Sequence, residues 1–123
     1  QVREWLHVSD CASAVDTILR KGKAGDIYNI GSYYEQENIK TVKMILDQLK
    51  KPHTLIEFVK DRPGHDFRYS VDCAKLHKLG WKAKIDFSIG LKETIVWYTE
   101  HPSWLKHKLA FLKKYWQKVY AKK

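Results

Sequence analysis

A six-residue segment, residues 61–66 (DRPGHD), combines residue types that suit the binding of an anion. Arg62 carries a planar fork of donors that matches the oxygens of a phosphate, and His65 adds a ring donor. Pro63 fixes one backbone angle, while Gly64 allows the chain to turn and to approach a ligand closely. The segment therefore predicts a compact cradle for an anion such as a diphosphate. The alternative is a plain surface turn, tied by its two aspartates to nearby N–H groups.

Two polar residues elsewhere in the chain are further candidates for the same site. Arg3 lies in an apolar stretch between Val2 and Trp5, where an Arg side chain is seldom buried unless it is paired. Arg3 is therefore either a second phosphate ligand or an ordinary charge on an edge strand. Asn38 precedes a helical pattern, so it is either a helix cap or a group near a helix N-terminus, where ligand oxygens are favoured.

The sequence contains no complete metal-binding or catalytic motif. Cys73 and His77 are spaced to share a helix face, but two ligands do not make a zinc site and no matching second pair occurs. The glycine-rich turns of dinucleotide-binding folds are absent, and no Tyr is followed by Lys four residues later. We therefore expect no catalytic, cofactor-binding or metal-binding residue in this chain.

The composition is that of one small folding domain. Of the 123 residues, 44% are hydrophobic and 30% are charged, so intrinsic disorder is not expected. No apolar run is long enough for a membrane span, and the N-terminus has no apolar signal-peptide core. Two cysteines are too few for a disulfide framework and indicate free thiols in a reducing, cytoplasmic compartment. A sequence that starts at Gln1, inside a predicted strand, suggests a piece of a longer protein.

The positive charge is concentrated in a basic tail, residues 101–123. This tail holds seven Lys and no Asp or Glu, which leaves only +2 of the total +9 for residues 1–100. A nucleic-acid-binding domain shows a basic face on its folded body, so nucleic-acid binding is not expected. Apolar residues recur at every third or fourth position of the basic tail, which predicts an amphipathic helix. Because such stripes usually pack on protein, we expect docking on the parent protein or a partner subunit rather than on an anionic membrane.

Periodic patterns predict an alternation of strands and helices, and hence an α/β class. Strands are predicted at residues 2–8, 26–31, 55–59 and 68–72. Helices are predicted to begin at Ser9 or Asp10, after Asn38, after Asp72, at Ser88 and at about Ser103. A parallel strand such as 26–31 needs sheet neighbours, and the chain offers few. We therefore expect upstream sequence to supply part of the sheet.

Several segments resemble the C-terminal part of the extended short-chain dehydrogenases that act on nucleotide sugars. They are residues 3–10 (REWLHVSD), 28–31 (YNIG), 58–66 (FVKDRPGHD) and 79–81 (LGW). The DRPGHD string discriminates within that superfamily, and it is most similar to the dTDP-glucose 4,6-dehydratase family. The resemblance covers residues 1 to about 100. It divides the chain into a nucleotide-sugar-binding portion, 1–100, and the basic tail, 101–123.

The resemblance implies the substrate-binding portion of an extended Rossmann-type enzyme whose N-terminal Rossmann part is missing from this sequence. Family members use tightly bound NAD to oxidise C4 of the sugar, eliminate water across C5 and C6, and return the hydride to C6. By motif, Arg3, Arg62 and His65 are implied to contact the nucleotide diphosphate, and Asn38 the nucleotide end. NAD and the catalytic residues are implied to belong to the missing part, so this chain alone is expected to be inactive. A homodimer is implied for the full-length protein.

Two other interpretations of the chain's function remain open. The chain could come from another nucleotide-sugar epimerase or dehydratase, because enzymes of the superfamily share the Arg-Glu-Trp and Leu-Gly-Trp segments. It could also be a non-catalytic module that binds a nucleotide diphosphate or a protein partner.

Overall fold

The chain folds into two short strands and five helices within the residues that the structure describes. The structure, a computed structural model, describes residues 1–61 and 63–120. The strands are β1 (Val2–Glu4) and β2 (Glu35–Glu37), and one turn of 3₁₀ helix covers His53–Leu55. The helices are α1 (Val8–Lys21), α2 (Asn38–Gln48), α3 (Ala74–His77), α4 (Phe87–Glu100) and α5 (Pro102–Tyr120). They belong to two compact units, residues 1–91 and 92–123.

The strand β1 is hydrogen-bonded along both of its edges. It pairs antiparallel with β2, with Arg3 opposite Gln36. On the other edge, the Val2 N–H donates to the Phe67 carbonyl (2.8 Å) and the Tyr69 N–H donates to the Val2 carbonyl (3.2 Å). Because β1 is fixed on both sides, the side chains that it carries have a defined position relative to the loop before residue 67.

A small core in the first unit joins α1, α3 and the segment that follows α3. Ala14, Leu76 and Trp81 are buried together. Around them pack half-buried apolar residues, namely Leu6, Ile18, Ile30, Leu79 and Ala83. The Trp81 indole N–H donates to the Ser13 hydroxyl at 2.8 Å, so the polar edge of this large side chain is satisfied inside the core.

Asp10 ties the start of α1 to the segment before α4. Its Oδ2 atom accepts the backbone N–H groups of Lys84 (3.0 Å) and Ile85 (2.9 Å), and the residue is buried. The predicted cap at Ser9 or Asp10 is therefore wrong. The residue that caps α1 is His7, while the Asp10 carboxylate is engaged with a segment more than seventy residues away.

Most of the predicted strands are wrong, because a strand needs a partner. The first strand ends at Glu4 rather than at residue 8. Residues 26–31 and 55–59 form no strand, and Ile27 is 84% exposed. The segment 68–72 contributes one isolated bridge, to Val2. Ladder hydrogen bonds stabilise an extended segment only when a neighbour provides them, so these apolar stretches stay irregular in the described chain.

The helices begin close to the predicted positions, since their signals are local. Asn38 is the first residue of α2, and Glu37 occupies the cap position. The Asp72 carboxylate accepts an N–H at the start of α3 (2.8 Å), and Asp86 does the same for Ser88 in α4 (2.8 Å). Among the helices that the structure describes, none combines the length and the apolar composition needed to span a bilayer.

Candidate functional site

Arg3 projects from β1 against the loop that precedes residue 68. Its Nη1 atom donates to the carbonyl oxygens of Val2 (2.7 Å) and Phe67 (3.3 Å). Its Nη2 atom donates to the Asp66 carbonyl (3.2 Å) and lies 3.0 Å from Nε2 of His65. Two of the four predicted ligands are thus in direct contact, although the sequence separates them by 62 residues.

His65 is half-buried between the Arg3 guanidinium and an aspartate of its own loop. Its Nδ1 atom lies 2.8 Å from Oδ1 of Asp61. The side-chain amide nitrogen of Gln1 donates to the other Asp61 oxygen at 2.5 Å. The hydrogen bond from His65, followed by that from Gln1, lowers the pKa of the Asp61 carboxyl below its usual value. Asp61 is therefore held as a carboxylate that orients the His65 ring.

The predicted turn in this loop is present. Pro63 and Gly64 form a turn, and Gly64 has φ +70°, a left-handed backbone conformation that favours glycine. Arg62 lies outside the described residues, so its predicted role in phosphate binding has no structural outcome. The loop that holds His65 therefore has the sharp bend that was expected from its Pro-Gly sequence.

The Tyr69 ring packs against the Arg3 guanidinium. The guanidinium carbon lies 4.5 Å from the centroid of the Tyr69 ring, which is a cation–π distance. The Tyr69 hydroxyl donates to the Asp66 carboxylate. Because the charge of Arg3 rests on an aromatic face and its N–H groups are directed by carbonyl oxygens, the orientation of the guanidinium is set before any ligand arrives.

An ion pair between Arg68 and Glu35 fastens the same loop to β2. The Arg68 Nε atom donates to Oε2 of Glu35 at 2.6 Å, and its Nη2 atom donates to the other oxygen. The hydrogen bond from Arg68 lowers the pKa of Glu35, and the same bond raises the pKa of Arg68. The types and spacing of these residues did not indicate this pair, because 33 residues separate them.

Asn38 is connected to Asp61 and His65 by way of Gln1, the first residue of the chain. Its N–H donates to the Gln1 carbonyl at 3.0 Å, and the Gln1 side chain in turn contacts Asp61. The prediction of a cap at Asn38 is wrong by one position, since Glu37 is the cap. The Asn38 Oδ1 atom is buried and has no hydrogen-bond partner among the described residues. A buried acceptor left without a donor is costly, so a donor from outside the described residues would stabilise this oxygen.

The two cysteines are free thiols. Cys73 is buried and Cys11 is half-buried, and burial raises the pKa of the Cys73 thiol. Within residues 1–61 and 63–120, no cluster of three or more His, Cys, Asp or Glu side chains is placed to hold a metal ion.

The sequence is similar to a family of nucleotide-sugar enzymes over most of its length. The family model described as GDP-mannose 4,6 dehydratase matches residues 1–94. A dTDP-glucose 4,6-dehydratase from Haemophilus influenzae is 46% identical over 110 residues, which cover 80% of this chain and 32% of that protein. An Escherichia coli dTDP-glucose 4,6-dehydratase is 42% identical over 113 residues. The match falls on the C-terminal part of these proteins, and the chain spans about a third of their length.

Solved structures show the same relationship. The chain resembles dTDP-glucose 4,6-dehydratase from Bacillus anthracis in complex with NAD, with a TM-score of 0.78 and 42% identity, over 85% of this chain and 33% of that one. It also resembles the Streptomyces venezuelae dTDP-glucose 4,6-dehydratase DesIV with NAD and TYD bound, with a TM-score of 0.80 and 38% identity over the same shares. These similarities confirm the predicted fold class, the C-terminal portion of an extended Rossmann-type short-chain dehydrogenase.

Proposed function

This chain belongs to the GDP-mannose 4,6-dehydratase family. From that membership we propose that it is the substrate-binding part of an NAD-dependent dTDP-glucose 4,6-dehydratase. The observation that carries the proposal is the contact between Arg3 and His65. Both residues were selected as diphosphate ligands from their motifs, and the fold brings them together although 62 residues separate them. The dTDP-glucose 4,6-dehydratases that match this chain support the choice of substrate.

In the proposed site, Arg3 supplies the main positive charge for the diphosphate. Its guanidinium is already aligned by carbonyl oxygens and by the Tyr69 ring, so little side-chain entropy is lost on binding. His65 holds the Arg3 guanidinium in position through its Nε2 atom, and Asp61 keeps the ring in place. Arg62, the neighbour of Asp61 in the sequence, is proposed to add a second guanidinium to the same phosphates.

Asn38 is proposed to recognise the nucleotide end of the substrate. Its buried Oδ1 atom can accept one hydrogen bond, and a ligand N–H or O–H group would remove the energetic cost of leaving it without a partner. The Asn38 N–H is already occupied by the Gln1 carbonyl. The side-chain oxygen is therefore the atom through which this residue would contribute to specificity.

The hydride chemistry of the reaction would be supplied by NAD in the parent enzyme. We assign no residue of this chain to NAD, because its sequence contains no glycine-rich dinucleotide turn. The chain also lacks a Tyr-x-x-x-Lys pair, so it is proposed to bind and orient the substrate while being inactive alone. The parent is proposed to be a cytoplasmic homodimer, with residues 1–100 serving the substrate site and the basic tail a separate role.

Steady-state kinetics of the full-length parent with dTDP-glucose test this function. We expect Arg3→Gln to raise KM by about tenfold to a hundredfold, since a charge-assisted hydrogen bond to phosphate is lost. Arg20→Gln is the matched control, because Arg20 pairs with Asp16 on the exposed face of α1, and its KM should equal that of the wild type. Failure of the parent to convert dTDP-glucose, or an unchanged KM for Arg3→Gln, would contradict the proposal.

A further inference from the structure

The last helix, α5, has a polar half whose charges are all positive. Residues 101–123 contain seven Lys and no Asp or Glu. At the helical repeat of about 100° per residue, Lys106, Lys113 and Lys114 fall on the same half of α5 as His107 and Gln117. This half of the helix therefore presents cations that no acidic side chain of the basic tail can neutralise.

The opposite half of α5 is apolar and rich in aromatic rings. It consists of Trp104, Leu105, Leu109, Phe111, Leu112, Tyr115 and Trp116. Phe111 is 71% exposed and Leu112 is 43% exposed, and a shallow groove runs between Leu109, Leu112 and Trp116. The apolar half covers about half of the helix circumference, which exceeds the minimum stripe of about 100° of an amphipathic helix.

One lysine, Lys108, falls within the apolar half of α5. Its Nζ atom lies 5.7 Å from the Trp104 ring centroid. The Trp104 ring also packs edge-on against Trp97 at 5.4 Å. Because the Lys108 ammonium lies over an aromatic ring and a Lys stem can cover apolar surface, this residue is compatible with a continuous apolar half.

We propose that α5 lies on the surface of an anionic phospholipid bilayer. Its apolar half would enter the boundary between headgroups and acyl chains, and its lysines would face the lipid phosphates. A wide apolar half with Trp and Phe, opposite a Lys-rich half, is the pattern of helices that bind at this interface. Tyr and Trp rings are also favoured at the level of the headgroups.

Charge favours an anionic lipid surface over a second copy of this segment as the partner of α5. A second copy of residues 101–123 would bring the same lysines and no Asp or Glu to pair with them, whereas anionic lipid headgroups attract Lys side chains. The family model ends at residue 94, and α5 begins at Pro102. The periodicity of the apolar residues favoured docking on protein, because such stripes usually pack on protein, whereas the uniformly positive polar half favours an anionic lipid surface.

Co-sedimentation of the full-length parent with lipid vesicles tests this proposal, since the parent retains any packing of α5 on the rest of the molecule. One set of vesicles contains phosphatidylcholine with about 30% phosphatidylglycerol, and the other contains phosphatidylcholine alone. We expect binding to the anionic vesicles only, with weaker binding as salt is raised. Leu112→Gln should weaken that binding at least about tenfold, because it removes apolar area from the inserted half.

Ala110→Gln is the matched control, because Ala110 lies on the polar half and Gln is a good helix former at both positions. Its vesicle binding should equal that of the wild type, and both variants should keep the helix content and the dehydratase activity of the parent. Equal binding by Leu112→Gln and Ala110→Gln would overturn the proposal in favour of adsorption by lysines alone. An absence of wild-type binding to the anionic vesicles would also overturn the proposal. A wild-type dimer that Leu112→Gln dissociates and Ala110→Gln does not would overturn it in favour of packing between two copies. If the wild-type parent does not convert dTDP-glucose, the proposed function is contradicted, but the result with vesicles still stands.

Discussion

Nη2 of Arg3 lies 3.0 Å from Nε2 of His65, and this contact determines which nitrogen of the His65 ring carries the proton. A guanidinium can only donate, so His65 must accept at Nε2. The ring proton is then on Nδ1, from which it is donated to Asp61 at 2.8 Å. The three side chains form one unit, in which a carboxylate fixes the ring and the ring directs the guanidinium.

The first prediction concerns Asp61 as the positioning residue of this unit. Asp61→Asn should weaken the binding of thymidine diphosphate to the parent by about tenfold, because the His65 ring loses the charged acceptor that fixes its tautomer. Isothermal titration calorimetry measures the effect. Asp47→Asn is the control, since Asp47 makes a similar contact with His53 (2.6 Å) at an exposed position. Equal affinities of the two variants would show that Asp61 has no positioning role.

The second prediction concerns the pH dependence of the Arg68–Glu35 ion pair. Arg68 lowers the pKa of Glu35 from its ordinary value of 4.5. A carboxyl whose folded pKa lies below its unfolded pKa stabilises the fold above the unfolded value, and that contribution is lost as the pH falls through the folded pKa. Arg68→Gln should therefore be less stable than the wild type at neutral pH.

The stability difference between wild type and Arg68→Gln should shrink as the pH falls below the ordinary pKa of a Glu carboxyl. Urea denaturation at a series of pH values measures it. A difference that stays constant down to strongly acidic pH would mean that the pair does not contribute through the charge of Glu35.

The third prediction concerns the small core of the first unit. Leu76 is fully buried, so Leu76→Ala should lower the free energy of unfolding by about 2–5 kcal/mol through lost burial and a cavity. Leu19→Ala is the control, because Leu19 is 79% exposed, and it should change stability by less than about 0.5 kcal/mol. A comparable loss for both variants, measured by chemical denaturation, would show that the core lies elsewhere.

The helices were predictable from the sequence, whereas the strands were not. Helical periodicity and breakers such as Gly22, which ends α1, are local features that need no distant partner. The extended segment at 26–31 depends on a neighbouring strand, and no such neighbour occurs in the described residues. Its sequence is strand-like, but the hydrogen bonds that would make it a strand are not supplied here.

The members of the candidate site were predictable, but their arrangement was not. Arg3 and His65 were each selected by residue type and motif, yet only the pairing of β1 with residues 67–69 brings them into contact. The Arg68–Glu35 pair and the tertiary role of Asp10 were missed. Both depend on contacts between segments far apart in the chain, for which residue types at fixed spacing carry no signal.

The most direct test of the account compares the affinities of the parent for thymidine diphosphate and for thymidine. If Arg3, held in position by His65, binds the diphosphate, the wild type should bind thymidine diphosphate far more tightly than thymidine. Arg3→Gln should lose most of that preference while binding thymidine as the wild type does. Calorimetry gives all four affinities. An Arg3→Gln variant that keeps the full preference for thymidine diphosphate would contradict the central claim.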